Sequence, residues 1–335
     1  MKTKLIGMIL CIMLMTTLLA VAKPPQKIES KSSTETMSTT YNADVPVWEI
    51  GDQWTYQIDD ISIVNQQEGK SINLLLTIAE LPLTVTSTTG DFYTLEFQTS
   101  VSGQYTMSID PGDGPANFSI TFSNVDLSGE VFIEKSTLGI KEISAGFKKE
   151  KISIEIEQSY IPLPSFLQRF SAKITMDITA TFDPSFSLLT FPLNTGIVWN
   201  LTSTNIIING EIQSIYLNLI NFINKMAKLF DKDFLPPEIA KLLPIINIKD
   251  ALTTLGNENV FPIPAVSNAF SCLNTENITV PAGAYEAYNI ILFGGFGQCY
   301  YAPTAGNVAK ITGNFEEINP DIKNFKMELI STNYS

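Results

Sequence analysis

The sequence predicts a mainly β protein, a curved antiparallel sheet carrying one amphipathic helical insertion. Three observations lead there. Apolar and polar residues alternate strictly over at least six segments, which gives each strand one greasy and one wet face. Glycine, proline and asparagine turn signals separate those segments, as in hairpins and meanders. A single stretch abandons period two for a helical stripe.

In chain order, Lys2 and Lys4, the apolar run Leu5 to Leu19 and the Ala20-Val21-Ala22 end form a secretory signal over residues 1–22. The run is short for a membrane span of ~20 residues, so the expectation is cleavage and no transmembrane anchor afterwards. Residues 23–45 are Ser/Thr-rich and poor in aromatics, a linker or stalk. Folded structure is expected from Pro46. Ile72, Leu74, Leu76 and Ile78 share one face of a first clear strand, and Tyr93, Leu95 and Phe97 share one face of the next. Phe118, Ile120 and Phe122 repeat the pattern, followed by Ile152, Ile154 and Ile156. Ile174, Met176, Ile178, Ala180 and Phe182 give the longest run, and Phe325, Met327 and Leu329 close the chain.

The helical stripe starts at Glu211. Ile215, Leu219, Phe222, Ile223, Met226, Leu229 and Phe230 fall on one face, and the helical insertion as a whole is placed at 211–243. Ordinary packing onto a sheet accounts for such a stripe. A lid over a hydrophobic concavity does so too, with Phe222, Ile223, Met226 and Phe230 lining it. Between Ser271 and Gly313, turns are expected at Val280-Pro281-Ala282-Gly283, at Gly294-Gly295-Phe296-Gly297 and from Pro303 to Gly306. Cys272 and Cys299, the only cysteines after residue 22, read as one disulfide in an exported chain, with a pair of buried free thiols as the alternative.

An internal repeat divides the folded part into units 46–185 and 186–335. Gly51-Asp52-Gln53-Trp54 parallels Gly196-Ile197-Val198-Trp199, Gly90-Asp91-Phe92 parallels Gly283-Ala284-Tyr285, and Thr137-Leu138-Gly139 parallels Thr304-Ala305-Gly306. Their order is conserved between the units and their spacing is not, and β-sequences rich in Gly and Thr also produce such matches by chance.

Three motifs carry a family likeness: W-x-x-G-D-x-W-T-Y over Trp48 to Tyr56, T-V-P-A-G-x-Y-x-A-Y over Thr279 to Tyr288, and Y-Y-A-P-x-x-G-x-V-x-K over Tyr300 to Lys310. Together they resemble a set of uncharacterised exported β-proteins of archaea and bacteria. That set is similar in turn to the half-barrels of periplasmic lipoprotein carriers, curved antiparallel sheets with helices in the concave side. The resemblance implies a half-barrel-like fold and a hydrophobic ligand. It supplies no catalytic residues.

Composition narrows function further. Without residues 1–22 the chain holds 19 basic against 34 acidic residues, a balance of −15 that repels nucleic acid and anionic surfaces. It has 0 histidines, which removes Ser-His-Asp and Cys-His catalysis and histidine-bound zinc. No nucleotide fingerprint is present, and no cofactor or metal is expected. Asp59-Asp60 and Glu316-Glu317 are adjacent on strands and point to opposite faces, as solvated charges do, and Asp110 to Gly114 reads as a turn. Sequons stand at Asn117, Asn200, Asn277 and Asn333, of which Asn117 and Asn277 lie beside expected turns and are the candidate glycosylation sites. The expectation is a non-catalytic, secreted or cell-surface protein that binds a lipid or other hydrophobic molecule. The alternative is a structural or adhesive surface protein that binds a protein or glycan.

Overall fold

The computed structural model describes residues 42–67, 70–109, 116–158, 168–214, 222, 259–314 and 324–335. Its strands, in chain order, are β1 (Asn42–Ala43), β2 (Gln53–Gln67), β3 (Lys70–Ser87), β4 (Phe92–Ile109), β5 (Ala116–Glu134), β6 (Ile140–Gln158), β7 (Arg169–Phe186) and β8 (Leu193–Asn194). They continue as β9 (Val198–Leu201), β10 (Thr204–Gln213), β11 (Val260–Ile263), β12 (Val266–Val280), β13 (Gly283–Leu292), β14 (Gly297–Ala302), β15 (Asn307–Asn314) and β16 (Asn324–Thr332). Fourteen of them form one antiparallel sheet in the order β11-β10-β7-β6-β5-β4-β3-β2-β16-β15-β14-β13-β12-β9, and β1 pairs with β8.

Strict alternation predicts this sheet, and the faces it assigns are the faces observed. Leu74, Leu76 and Ile78 are buried while Leu75 between them is exposed. Tyr93, Leu95 and Phe97 are buried, as are Ile174 to Phe182 at every second position. The buried face is apolar and the opposite face carries residues such as Lys173, Asp177 and Glu96. That polarity is the reverse of a transmembrane β-barrel, which turns its apolar side outward. Among the described residues, no helix is long and apolar enough to cross a membrane.

The register shows that the sheet closes on itself. Only Thr202 and Ser203 separate β9 from β10, and only Pro264 and Ala265 separate β11 from β12. Leu201 pairs with Val266 and Thr204 with Ile263, the same antiparallel register on either side of the two short breaks. The two outermost ends of the strand order are therefore the two halves of a single ribbon. Its β10 half is bonded to β7 and its β12 half to β13. Beyond the seam, Gly196 and Cys272 extend the ribbon, with Gly196 N–H donating to Cys272 O at 2.7 Å and Cys272 N–H to Ile197 O at 2.9 Å.

A row of inward residues makes the circuit visible. Cys272, Ile290, Cys299, Ile311, Met327, Ile58, Ile78, Val101 and Val125 are successive cross-strand partners from β12 round to β5. With β9 and β10 counted as one strand and β11 and β12 as another, the circuit has twelve strands. Eight strands already leave an interior just wide enough for side chains to fill, so a twelve-strand circuit encloses more room than its own strands occupy.

The sequence turns fall where expected. Pro281-Ala282 makes a two-residue hairpin between β12 and β13, and Phe293 to Phe296 joins β13 to β14. One expectation is corrected. Glu211, Ile212 and Gln213 lie in β10, so no helix begins at Glu211. An apolar stripe with a 3.6 period also fits a strand over its first few residues, and the pairing with β7 prevails there. The rest of 211–243 lies outside the described residues, apart from Ser214 and Phe222.

Candidate functional site

Two of the sequence motifs meet in the barrel. Trp48 and Trp54 are buried with their rings 4.8 Å apart, and Trp48 packs 5.0 Å from Tyr93. Trp48 Nε1 donates to Gly306 O at 2.9 Å, Trp54 Nε1 to Ala305 O at 2.6 Å and Tyr56 Oη to Val308 O at 2.9 Å. Three aromatic donors of the first motif thus bond three carbonyls of the third, two at a tight turn and one, Val308 O, in the strand that follows it. That turn is a single 3-10 turn, Pro303–Ala305, closed by Gly306 at φ 62. Gly306 is needed twice over: the left-handed conformation favours glycine, and a Cβ there would lie 2.5 Å from the Tyr334 ring. The clamp is architectural, and it fixes β2 against β15 across the sheet.

Beside the clamp lies a partly open cavity of about 190 Å³. One wall comes from Ile58 of β2, Leu81 and Leu83 of β3, Leu95 of β4, Val131 and Ile133 of β5 and Ile143 of β6. The wall continues through the neighbouring strands with Phe325 and Met327 of β16 and Val308 and Ile311 of β15, and Phe186 at the end of β7 with Leu188 and Leu189 beyond it completes the lining. The lining strands β15-β16-β2-β3-β4-β5-β6 are successive neighbours in the sheet, so its curvature brings them round one space.

The lining carries few polar atoms. Only Trp48, Tyr56 and Asn307 bring a side-chain nitrogen or oxygen, and the first two are already committed to Gly306 and Val308. Burial pushes the Tyr56 phenol far up, with the neighbouring Cys299 adding to it, so Tyr56 stays neutral and serves as a donor. Among the described residues, no Lys, Arg, Asp or Glu lines the space. The described lining is thus almost wholly hydrocarbon.

The expected disulfide is corrected. Cys272 and Cys299 are both free and buried. They sit on β12 and β14 with Ile290 of β13 directly between them. Two strand spacings of about 4.8 Å put their Cα atoms near 10 Å apart, beyond the ~7 Å that a disulfide spans. Burial pushes Cys272 up to about 11 and Cys299 to about 12, so both are protonated, unreactive members of the inward row.

Of the four residues expected to line a lid, Phe222 is 59 % exposed and is not part of the cavity wall. Ile223, Met226 and Phe230 lie outside the described residues. Among the sequons, Asn117 and Asn277 are exposed on strands. Asn333 is engaged instead, accepting from Gln53 N at 2.6 Å and donating to Gly51 O at 3.0 Å, and Asn200 accepts from Asn268 N at 2.8 Å. Asp59 faces Lys326 at 3.5 Å on the outer surface, in a network with Glu328 and Lys310. Glu316-Glu317 and Asp110 to Gly114 lie outside the described residues. Among the described residues no group of His, Cys, Asp and Glu is placed to hold a metal ion.

Periodicity gave the inward faces of β3 and β4, yet Val131, Phe186 and Asn307 carried no signal that they share one space. The curvature of the sheet brings them together. Set against protein-family models, curated proteins and solved structures, the chain matches none.

Proposed function

We propose that this chain is an exported, non-catalytic binding protein that holds a hydrocarbon segment of a lipid or similar molecule inside its β-barrel. The observation that carries the reading is the 190 Å³ cavity with walls of Ile, Leu, Val, Phe and Met and no charged residue. An engineered apolar cavity of about 150 Å³ takes up benzene, so this volume suits one branched or short unbranched segment and not a whole lipid. The remainder of a longer ligand would extend through the open side. Export rests on the leader-like residues 1–22, and the acidic balance suits a protein that stays soluble outside the cell.

The test is to fill the space. Val131 is buried on β5 and lines the cavity, so Val131→Phe places a ring where a ligand would lie. Binding of the fluorescent probe 1-N-phenylnaphthylamine should weaken at least tenfold, with the melting temperature kept or raised because a void has been filled. Unchanged probe affinity in a folded variant would remove this cavity as the binding site.

A further inference from the structure

Resting on that reading, we infer that Asn307 is the one polar anchor of the cavity, and that the bound segment is neutral and carries an acceptor oxygen. The argument is an inventory of donors. Trp48 Nε1 and Tyr56 Oη point their hydrogens at Gly306 O and Val308 O, which leaves neither a hydrogen to donate to a ligand. Asn307 differs. Its Oδ1 accepts from Val308 N at 2.8 Å, and that backbone donor fixes which end of the amide is the oxygen. The Nδ2 end is then left with two N–H groups, and no partner for it is found among the described residues.

An amide N–H at an apolar wall rewards an acceptor that comes to it, because otherwise it is partly desolvated without compensation. A hydroxyl, ester, ether or ketone oxygen fits. A carboxylate does not, because no cation lines the space to offset its desolvation. A pure alkane gains nothing from Asn307. The ligand class is therefore a neutral oxygenated hydrocarbon, such as an aliphatic alcohol or an acyl ester, with its oxygen at the start of β15 and its chain towards Val131 and Ile143.

Competition against 1-N-phenylnaphthylamine by 1-hexanol, hexane and hexanoate at pH 8 tests the assignment. Two variants are compared with the parent protein. Asn307→Leu removes the amide, and Asn307→Asp keeps an acceptor for Val308 N while deleting the donors, so it guards against loss of the turn. The expected result is that 1-hexanol loses about three- to tenfold in affinity in both variants, the worth of one hydrogen bond. Hexane should hold its affinity in Asn307→Leu, and hexanoate should compete weakly throughout. Equal 1-hexanol affinity in the parent and both variants would overturn the anchor while hexane binding keeps the cavity. Hexanoate competing better than 1-hexanol would overturn the neutral-ligand assignment. Failure of all three to displace the probe would overturn the cavity reading itself.

Discussion

Replacing Trp54 by Phe tests whether the clamp between β2 and the turn before β15 holds the barrel together. Trp54 is 0 % exposed and donates to Ala305 O at 2.6 Å, in a part of the chain where Ala305 is also 0 % exposed. Phenylalanine keeps an aromatic ring near Trp48 and Tyr334 but has no N–H. The orphaned carbonyl costs about 1–3 kcal/mol. About 40 Å³ of lost ring volume, at ~24 cal/mol per Å³, adds about 1 kcal/mol. The total of about 2–4 kcal/mol is a large share of the ~5–15 kcal/mol that a folded chain has in hand. Urea unfolding followed by far-ultraviolet circular dichroism should show the midpoint fall with an unchanged slope. Trp199→Phe is the internal control. Trp199 is half-buried and its Nε1 lies 3.3 Å from Leu188 O, a longer bond, so its loss should cost about 1 kcal/mol or less. Equal losses at the two tryptophans, or under about 0.5 kcal/mol at Trp54, would refute the clamp.

Three further outcomes are expected. Cys272 and Cys299 should resist thiol reagents in the native protein at pH 8 and should both be alkylated after denaturation without reductant; no labelling there would restore the disulfide. Their pKa values are raised on folding from the usual 9.0 to about 11 and about 12, so the stability they supply is full below about pH 9 and fades as the pH climbs to 11–12. A Cys272→Ala, Cys299→Ala pair should flatten that alkaline decline, and an unaltered pH profile would contradict it. In a host that glycosylates exported proteins, Asn277→Gln should remove one glycan and Asn333→Gln none, because the Asn333 amide is held by Gln53 and Gly51. A mobility shift from Asn333→Gln would refute that distinction.

The strands were legible because each needs only its own alternation. Ile174, Met176, Ile178, Ala180 and Phe182 announce a buried face without reference to any partner. Closure was not legible. It depends on Leu201–Val266 and Thr204–Ile263 sharing one register across two short breaks, and nothing local to those residues encodes it. Two of the motifs marked real structure, since Trp48, Trp54 and Tyr56 bond the turn around Gly306 and the start of β15, and Trp48, Tyr56, Asn307 and Val308 also line the cavity. The cysteines misled for a related reason. Their place at neighbouring strand ends in the sequence suggested contact, whereas the hairpin between them inserts a whole strand with Ile290. Asn307 was invisible because an asparagine beside a turn ordinarily caps the turn, as its Oδ1 does here. Its second role follows only from the apolar wall it joins.

The claim that the barrel carries a hydrophobic molecule is tested most directly by mass spectrometry of organic extracts from the protein, purified without detergent out of an expressing cell. The account predicts a near-stoichiometric, neutral, oxygen-bearing aliphatic species that is absent from the Val131→Phe variant. A parent protein that comes away clean, and that also fails to take up 1-hexanol or hexane when they are added back, would contradict it.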